Sequence, residues 1–202
     1  MLRFGPRDAP CVVAALPLFE EGNRTRAAMI DVLRRLAQQG IAAALPDLPG
    51  TGESLLETRH ATLQGWREAF ASACARVPGE VHVCAWRSGV LIDGDAAAAS
   101  RWYLSPQSGA ALTRELARLR QLSGGADSAG NLVSEEMLAA LIAAQPTTSA
   151  PLRVVRLESD AKPADRKLPG RPLWRATEPG TDEALQKAIA DDLATWITAD
   201  RA

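Results

Sequence analysis

The segment CVVAALPLFEEGNRTRAAMIDVLRRLAQQGIAAALPDLPGTGES, residues 11–54, decides the fold. It contains two short apolar runs, at 11–16 and 41–45, each long enough for a buried strand. Between them, apolar residues recur at helical spacing over 24–39, and Gly40 stands where such a helix would end. A buried strand, an amphipathic helix and a second buried strand predict a parallel sheet covered by helices.

The remaining sequence alternates in the same way and completes a single α/β domain over 1–202. We predict a doubly wound, mostly parallel six-stranded sheet in the order 2-1-3-4-5-6, with helices on both faces. The other predicted elements are four strands at 81–86, 101–104, 152–157 and 173–176, a helix of small residues at 88–99 and a closing helix from Thr181.

The interval at 105–149 is too long for a simple crossover between two parallel strands. It contains two amphipathic stretches joined by LSGGADSAGN, which is rich in glycine and small polar residues. We interpret the interval as a helical cap, or lid, inserted over the carboxyl edge of the sheet.

The composition argues against several classes of partner. The chain has 23 Lys and Arg against 24 Asp and Glu, a net charge of −1, which does not favour nucleic acid or an anionic membrane surface. No apolar run approaches the ~18 residues of a membrane span, and no signal-peptide pattern is present, so we predict a cytoplasmic protein without membrane insertion. Its three cysteines lack metal-ligand spacing, and we predict no disulfide framework, metal site or cofactor.

The turn LPDLPGTGES, residues 45–54, matches a phosphate-binding P-loop only in part. Glu53 stands where such a loop carries lysine, and Asp47 takes the place of its first glycine. A carboxylate at either position would repel a phosphate, so nucleotide binding is not predicted. The same string is similar to the turn that follows the corresponding strand in α/β-hydrolases.

The string AWRSG, residues 85–89, falls at the turn where an α/β-hydrolase places its nucleophile elbow, Gly-x-Ser-x-Gly. The central position here is Arg87. A guanidinium group is not deprotonated in a protein and is not a nucleophile, so acyl transfer through this position is excluded. Ser88 comes one residue later and would point about 100° away from the elbow direction.

A serine nucleophile also needs a histidine base oriented by a carboxylate. The chain has two histidines, and His82 lies at the start of a predicted strand, far from its carboxyl end. His60 follows the second strand on the correct edge, and Asp160 follows the fifth strand near the usual position of the acid. Together with Ser88 and the loop residue Ser54, these are weak catalytic candidates.

The loop after the first strand and the elbow are expected to meet in one crevice, because the strand order reverses between strands one and three. The candidate ligand-binding residues there are Phe19, Glu20, Glu21 and Arg87, flanked by Asp47. A cation at a helix N-terminus is opposed by the helix dipole, so Arg87 calls for a compensating anion. That anion is either one of these three acids or a carboxylate or phosphate group of a ligand.

Several stretches together resemble one branch of the α/β-hydrolase superfamily. The branch is the second of two hydrolase-like proteins associated with the exosortase A system, which accompanies PEP-CTERM protein sorting and exopolysaccharide production in bacteria. The resemblance spans 15–174 and implies a truncated α/β-hydrolase fold, with Arg87 matching an arginine-containing elbow in that branch. The stretches that carry it are PLFEEGNRTRAAMIDVLRRLAQQGIAAALPDLPGTGES, AWRSG, SPQSGAALTRELARLR and LPGRPLW.

Three functions stay open. The first is a degenerate hydrolase-like protein that forms no acyl-enzyme and binds a small anionic molecule or a protein partner of the sorting or polysaccharide system. The second is an esterase or thioesterase that uses Ser88 or Ser54, with His60 as its base. The third is an accessory module whose cap helices contact a sorting or polysaccharide enzyme.

Overall fold

The computed structural model describes residues 1–52, 54–123, 133–149 and 151–199, although not the side chains of 122 and 123. Its centre is a seven-stranded sheet in the order β1-β3-β2-β4-β5-β6-β7. The β1 strand is antiparallel to β3, and every other neighbouring pair is parallel. The strands are β1 (Leu2–Phe4), β2 (Cys11–Ala15), β3 (Ala42–Leu45), β4 (Val81–Trp86), β5 (Ser100–Leu104), β6 (Leu152–Leu157) and β7 (Arg166–Leu168).

Five helices cover the sheet in two layers. Buried side chains of α1 and α5 form the core on one face, and those of α2, α3 and α4 form it on the other. The predicted α/β class, the order of the first five predicted strands and the doubly wound layering are therefore confirmed. The helices are α1 (Glu20–Gln38), α2 (Leu63–Ala75), α3 (Gly109–Ser123), α4 (Glu135–Ala143) and α5 (Glu183–Ala199).

The two edges of the sheet differ from the prediction. The β1 strand was not predicted, because three largely exposed residues carry no apolar run. The sixth predicted strand, at 173–176, is wrong: Leu173–Arg175 forms a 3-10 turn, and the parallel edge strand is Arg166–Leu168. The apolar character of Leu173 and Trp174 reflects the burial of both side chains, because this turn packs into the core.

Two helices also differ from the prediction, and both follow strands at the carboxyl edge of the sheet. The first helix begins at Glu20, four residues earlier than predicted, so that Glu20 and Glu21 stand in its first turn. The small-residue helix predicted at 88–99 is only a 3-10 turn, Arg87–Leu91. Asp93, which follows this turn, is buried and accepts a 3.1 Å hydrogen bond from Arg101 Nε.

The interval at 105–149 contains α3 and α4, and the segment joining them falls at 124–132, outside the described residues. The buried side chains of both helices, such as Leu116 and Leu141, join the core that α2 forms with the sheet. That this interval acts as a cap stays a prediction. Within the described ranges, no helix combines the length and apolar character that crossing a membrane requires.

The chain leaving β4 passes very close to the end of β2. A Cβ atom added at Gly89 would lie 2.5 Å from the carbonyl oxygen of Leu16 and 2.6 Å from that of Ala15. These are backbone atoms of a buried strand exit and cannot move aside freely. Glycine at this position therefore allows the turn after β4 to pack against β2.

We predict that Gly89→Ala lowers the free energy of unfolding by about 1–3 kcal/mol, because the added methyl group forces two packed strands apart. Urea denaturation monitored by tryptophan fluorescence measures this change. Gly94→Ala is the matched control, because a Cβ atom added there meets nothing within 4 Å. Equal stability of the two variants would contradict the proposed close packing.

Candidate functional site

The turn after β4 has the backbone of a nucleophile elbow, with Arg87 at its centre. Arg87 has φ 54°, a left-handed conformation that non-glycine residues seldom adopt. A nucleophile elbow is such a sharp, strained turn from strand to helix. The turn thus has the backbone conformation of an elbow, although the side chain at its centre is a guanidinium group.

Strained backbone conformations are concentrated at the carboxyl edge of the sheet. Among the described residues, the non-glycine residues with positive φ are Phe19, Arg87 and Ser105, at 60°, 54° and 47°. They follow β2, β4 and β5, which are adjacent in the sheet. Each such conformation costs about 1–3 kcal/mol, and strain of this kind collects at functional sites. This edge is therefore the candidate site.

Arg87 is held by a two-point ion pair with Glu21. Its Nε donates to Glu21 Oε2 over 3.2 Å, and its Nη2 donates to Oε1 over 3.1 Å. The two side chains are only 15% and 11% exposed. The paired acid comes from the first turn of α1, so the interaction joins the exits of β2 and β4.

Two further side chains lie against the guanidinium of Arg87, and a third, Gln107, supports one of them. Glu115 of α3 approaches Arg87 Nη2 at 3.5 Å and accepts a 2.9 Å hydrogen bond from Gln107 Nε2. The ring of Trp174 lies 5.1 Å from Arg87 Cζ, within range of a cation–π interaction. The backbone N–H of Gln107 also donates to the carbonyl oxygen of Arg87.

Burial controls the ionisation of Glu21. It raises the pKa of this carboxyl group above the ordinary value of 4.5, whereas the hydrogen bonds and charge of Arg87 lower it. Glu115 adds a smaller upward effect, because a second carboxylate stands close by. Arg87 therefore favours the charged form of Glu21 and opposes the effect of burial on its pKa.

Ser88 is fully buried, and its hydroxyl group serves the fold. Its Oγ accepts a 2.9 Å hydrogen bond from the backbone N–H of Leu18. Leu18 lies in the loop after β2, where an α/β-hydrolase takes one of its oxyanion-hole donors. The donor at this position is thus already used within the protein.

The structure does not bring the other weak catalytic candidates together. Ser54 Oγ accepts hydrogen bonds from the N–H groups of Gly50 and Leu56 and thereby closes a turn. His60 is exposed at the end of a 3-10 turn. Asp160 forms a 2.8 Å salt bridge with Arg156. No hydrogen bond between any two candidates among Ser54, Ser88, His60 and Asp160 is found in the described part of the chain.

Of the three acids predicted to compensate Arg87, Glu21 alone contacts it in the described structure. Glu20 lies 3.4 Å from Arg24 one turn along α1, and Asp47 pairs with Arg26 at 3.2 Å and with the terminal amine. Phe19 packs its ring against Trp66, with the ring centroids 5.5 Å apart. The predicted cluster is therefore divided between the elbow and the neighbouring loop.

Sequence reasoning missed Glu115, Gln107 and Trp174 as members of the site. Gln107 could have been found, because it follows β5 and the carboxyl ends of adjacent parallel strands meet at one edge. Glu115 lies in the predicted cap, and Trp174 was assigned to a strand. Nothing in the sequence indicates that these two side chains reach Arg87.

A cleft of about 1130 Å³ lies beside the elbow. It is bounded by the loop after β2, the loop after β3 and one face of α2, and its lining includes Pro17, Leu18, Phe19 and Asp47. Arg87 is not part of its lining, so this cleft adjoins the elbow and is lined by other residues. A ligand-binding crevice around Arg87 itself stays a prediction.

No protein-family model matches the chain, and no curated protein sequence matches it. Solved structures do match along almost its whole length. Est1E from Butyrivibrio proteoclasticus, with ferulic acid bound, has a TM-score of 0.61 at 15% identity, covering 96% of this chain and 91% of its own. Alpha/beta hydrolase domain-containing protein 10 from mouse has a TM-score of 0.64 at 11% identity, covering 98% and 93%.

A third similar structure is the NocB thioesterase domain in covalent complex with a fluorophosphonate nocardicin G analogue. Its TM-score is 0.59 at 18% identity, with 96% of this chain and 98% of that chain covered. At such low identity the likeness concerns the backbone. The chain therefore has the α/β-hydrolase fold.

We predict that Arg87→Met lowers the free energy of unfolding by about 3 kcal/mol at neutral pH, because it strands a buried carboxylate. Without Arg87 the folded-state pKa of Glu21 rises further above 4.5, so folding favours its protonated form. The pH-dependent part of the loss is then absent below about pH 4.5 and grows as the pH rises towards the folded-state pKa.

Urea unfolding of Arg87→Met at several pH values tests this expectation. The double variant Glu21→Gln with Arg87→Met is the control, because it removes the stranded charge and should lose the pH dependence. A pH-independent loss in the single variant would contradict the assigned role of Glu21.

We also predict that Ser88→Ala lowers the free energy of unfolding by about 1–3 kcal/mol, because the buried N–H of Leu18 loses its acceptor. Thermal and urea unfolding measure the effect. Ser72→Ala, at an exposed position of α2, is the control and should change stability little. Unchanged stability of Ser88→Ala would show that its hydroxyl group is not needed by the fold.

Proposed function

We propose that this α/β-hydrolase-fold protein binds a ligand or partner and forms no acyl-enzyme. The observation that carries the proposal is the pairing of Arg87, at the elbow position, with the buried carboxylate of Glu21. A guanidinium group cannot attack a carbonyl carbon, and here it is also held in place by two hydrogen bonds.

The surroundings of the elbow support the same proposal. Acyl transfer requires a hydroxyl or thiol group within hydrogen-bond reach of a base, together with free donors for the oxyanion. Ser88 Oγ is buried and accepts from Leu18 N–H, which uses both groups at once. His60, which would have to act as base, is exposed on a separate turn.

The ligand that we propose is a small anionic molecule, bound in the cleft next to the elbow. A protein partner is the alternative occupant. The resemblance to hydrolase-like proteins associated with exosortase A suggests a role beside protein sorting or exopolysaccharide production in a bacterial cytoplasm. These assignments belong to the proposal.

A second candidate function is an esterase or thioesterase that uses Ser88 or Ser54. The observation in its favour is the fold, because the similar structures include Est1E with bound ferulic acid and the NocB thioesterase domain. A fold hosts many activities, however, and activity depends on the groups at the site. We therefore rank this function second.

We predict no covalent labelling of the protein by a serine-directed fluorophosphonate and no turnover of activated esters above background. The reason is the absence of an accessible activated hydroxyl group at the elbow. Intact-protein mass spectrometry after labelling, and turnover assays with short-chain and long-chain p-nitrophenyl esters, measure both outcomes.

The Ser88→Ala and Ser54→Ala variants are the controls for that experiment. Stoichiometric labelling of the natural protein that is lost in one of these variants would establish the esterase function. It would equally overturn the proposal of a non-acylating protein.

A further inference from the structure

We propose that the cleft beside α2 binds a single-chain amphiphile with an anionic head group, its alkyl chain lying along α2 and its head group at Arg76. The inference rests on the proposed binding function and names the class of ligand. It places the ligand away from Arg87, along a part of the molecule that catalysis by a hydrolase would not need.

The first observation is the distribution of exposed apolar side chains. Among the described residues, the large hydrophobic side chains classed as exposed are Met1, Leu2, Leu55, Leu56 and Ile142. The first two line the cleft, and Leu55 and Leu56 stand between Ser54 and Thr58, which also line it. Two of these five side chains thus line one cavity, and two more lie in the short loop segment between two of its lining residues. Apolar groups gathered in this way mark an interaction site.

The second observation is the face that α2 presents to the cleft. Ala69, Ala73 and Arg76 line the cleft and are spaced as neighbours along one side of a helix. The two alanines are half-buried, and their small side chains leave room for an occupant above them. From Trp66 to Arg76 this face extends about 15 Å. The track is linear, it is apolar except for Ser72 beside the alanines, and it ends in a cation.

Charge selects an anionic head group for this ligand. The charged side chains of described residues that line the cleft are Arg26, Arg76 and Asp47. Arg26 pairs with Asp47 at 3.2 Å. Within the described ranges, the guanidinium of Arg76 has no salt bridge or hydrogen bond, so it is available to a ligand. Arg87 is not available, because Glu21 already neutralises it.

The same charges argue against a second copy of the chain as the occupant. In a two-fold dimer the patch would face itself, because such an interface uses the same surface of both subunits. Each copy would then bring the positive charge of its Arg76 to the same interface, where the described part of the structure offers no partner for it. A linear anion satisfies Arg76 without this repulsion.

Isothermal titration calorimetry with dodecanoate, below its micelle concentration, tests the proposal. We expect saturable binding at one site. Decanoate should bind more weakly by up to roughly fifteenfold, because it buries two fewer methylene groups. Dodecan-1-ol and dodecyltrimethylammonium have the same chain without the negative charge, and both should bind more weakly than dodecanoate.

Two pairs of variants locate the ligand. Ala73→Trp fills the track and should abolish binding, whereas Ala117→Trp, at an exposed position of α3, should not. Arg76→Gln should weaken dodecanoate by about threefold to fivefold and leave dodecan-1-ol unchanged. Arg118→Gln, also exposed on α3, is its control.

A third pair tests the rim. Leu55→Ser combined with Leu56→Ser should weaken dodecanoate binding, whereas Ile142→Ser, at another exposed apolar position, on α4, should leave it unchanged. Circular dichroism of each variant establishes that it is folded before titration.

Three results would overturn the inference: no binding of dodecanoate, equal binding by Ala73→Trp, or binding of dodecan-1-ol as tight as that of dodecanoate. Sedimentation with vesicles of phosphatidylcholine and phosphatidylglycerol distinguishes a free amphiphile from a membrane surface. Binding to vesicles without binding to monomeric dodecanoate also overturns it. Fluorophosphonate labelling at a serine would overturn the non-acylating function, and the titrations would still decide the ligand separately.

Discussion

The ion pair between Arg87 and Glu21 determines how the carboxyl edge of this sheet is assembled. It links the end of β4 to the first turn of α1, which follows β2, so the exits of two adjacent strands are held together. Both groups are largely buried, and neither charge could remain there without the other. Trp174 covers the guanidinium, and Glu115 approaches it from α3, so the segments after β7 and β5 also pack around this pair.

The elbow-like turn after β4 packs the carboxyl edge of the sheet together. In a hydrolase this strained turn lifts a nucleophile towards the substrate. Here the same turn directs a guanidinium into the protein, Gly89 packs the turn against β2, and Ser88 binds the loop amide of Leu18. Arg87, Ser88 and Gly89 thus each make a contact that stabilises the fold. The similar structures are only 11% to 18% identical to this chain, so the likeness concerns the backbone. The chemistry of the site depends on the residues of this chain.

Electrostatics separate the elbow from the cleft. Around Arg87 the positive charge is met by Glu21 and approached by Glu115, which leaves no attraction for an anion. Among the described charged side chains that line the cleft, Asp47 and Arg26 are paired and Arg76 is not. The charge of Arg87 is thus compensated within the protein, whereas the cleft carries a cation without a salt bridge in the described structure.

The sequence by itself determined the central sheet and the general position of the site. The runs at 11–16 and 41–45 are apolar throughout, and the run at 81–86 is apolar except for His82. Strands buried on both faces carry few polar side chains, and the alternation of these runs with helices predicts the strand order. The edge strands β1 and β7 could not be predicted in this way, because each consists of only three partly exposed residues without an apolar run.

Only the tertiary structure decided which acid meets Arg87. Glu20, Glu21 and Asp47 were equivalent in the sequence, but α1 begins at Glu20, and successive helical residues point about 100° apart. Glu21 is therefore turned towards the elbow, whereas Glu20 pairs along its own helix with Arg24. Trp174 and Glu115 stand 87 and 28 positions from Arg87 in the chain, by subtraction of their residue numbers. Contacts across such separations follow from how α3 and the last turn pack on the sheet, and local sequence carries no signal for them.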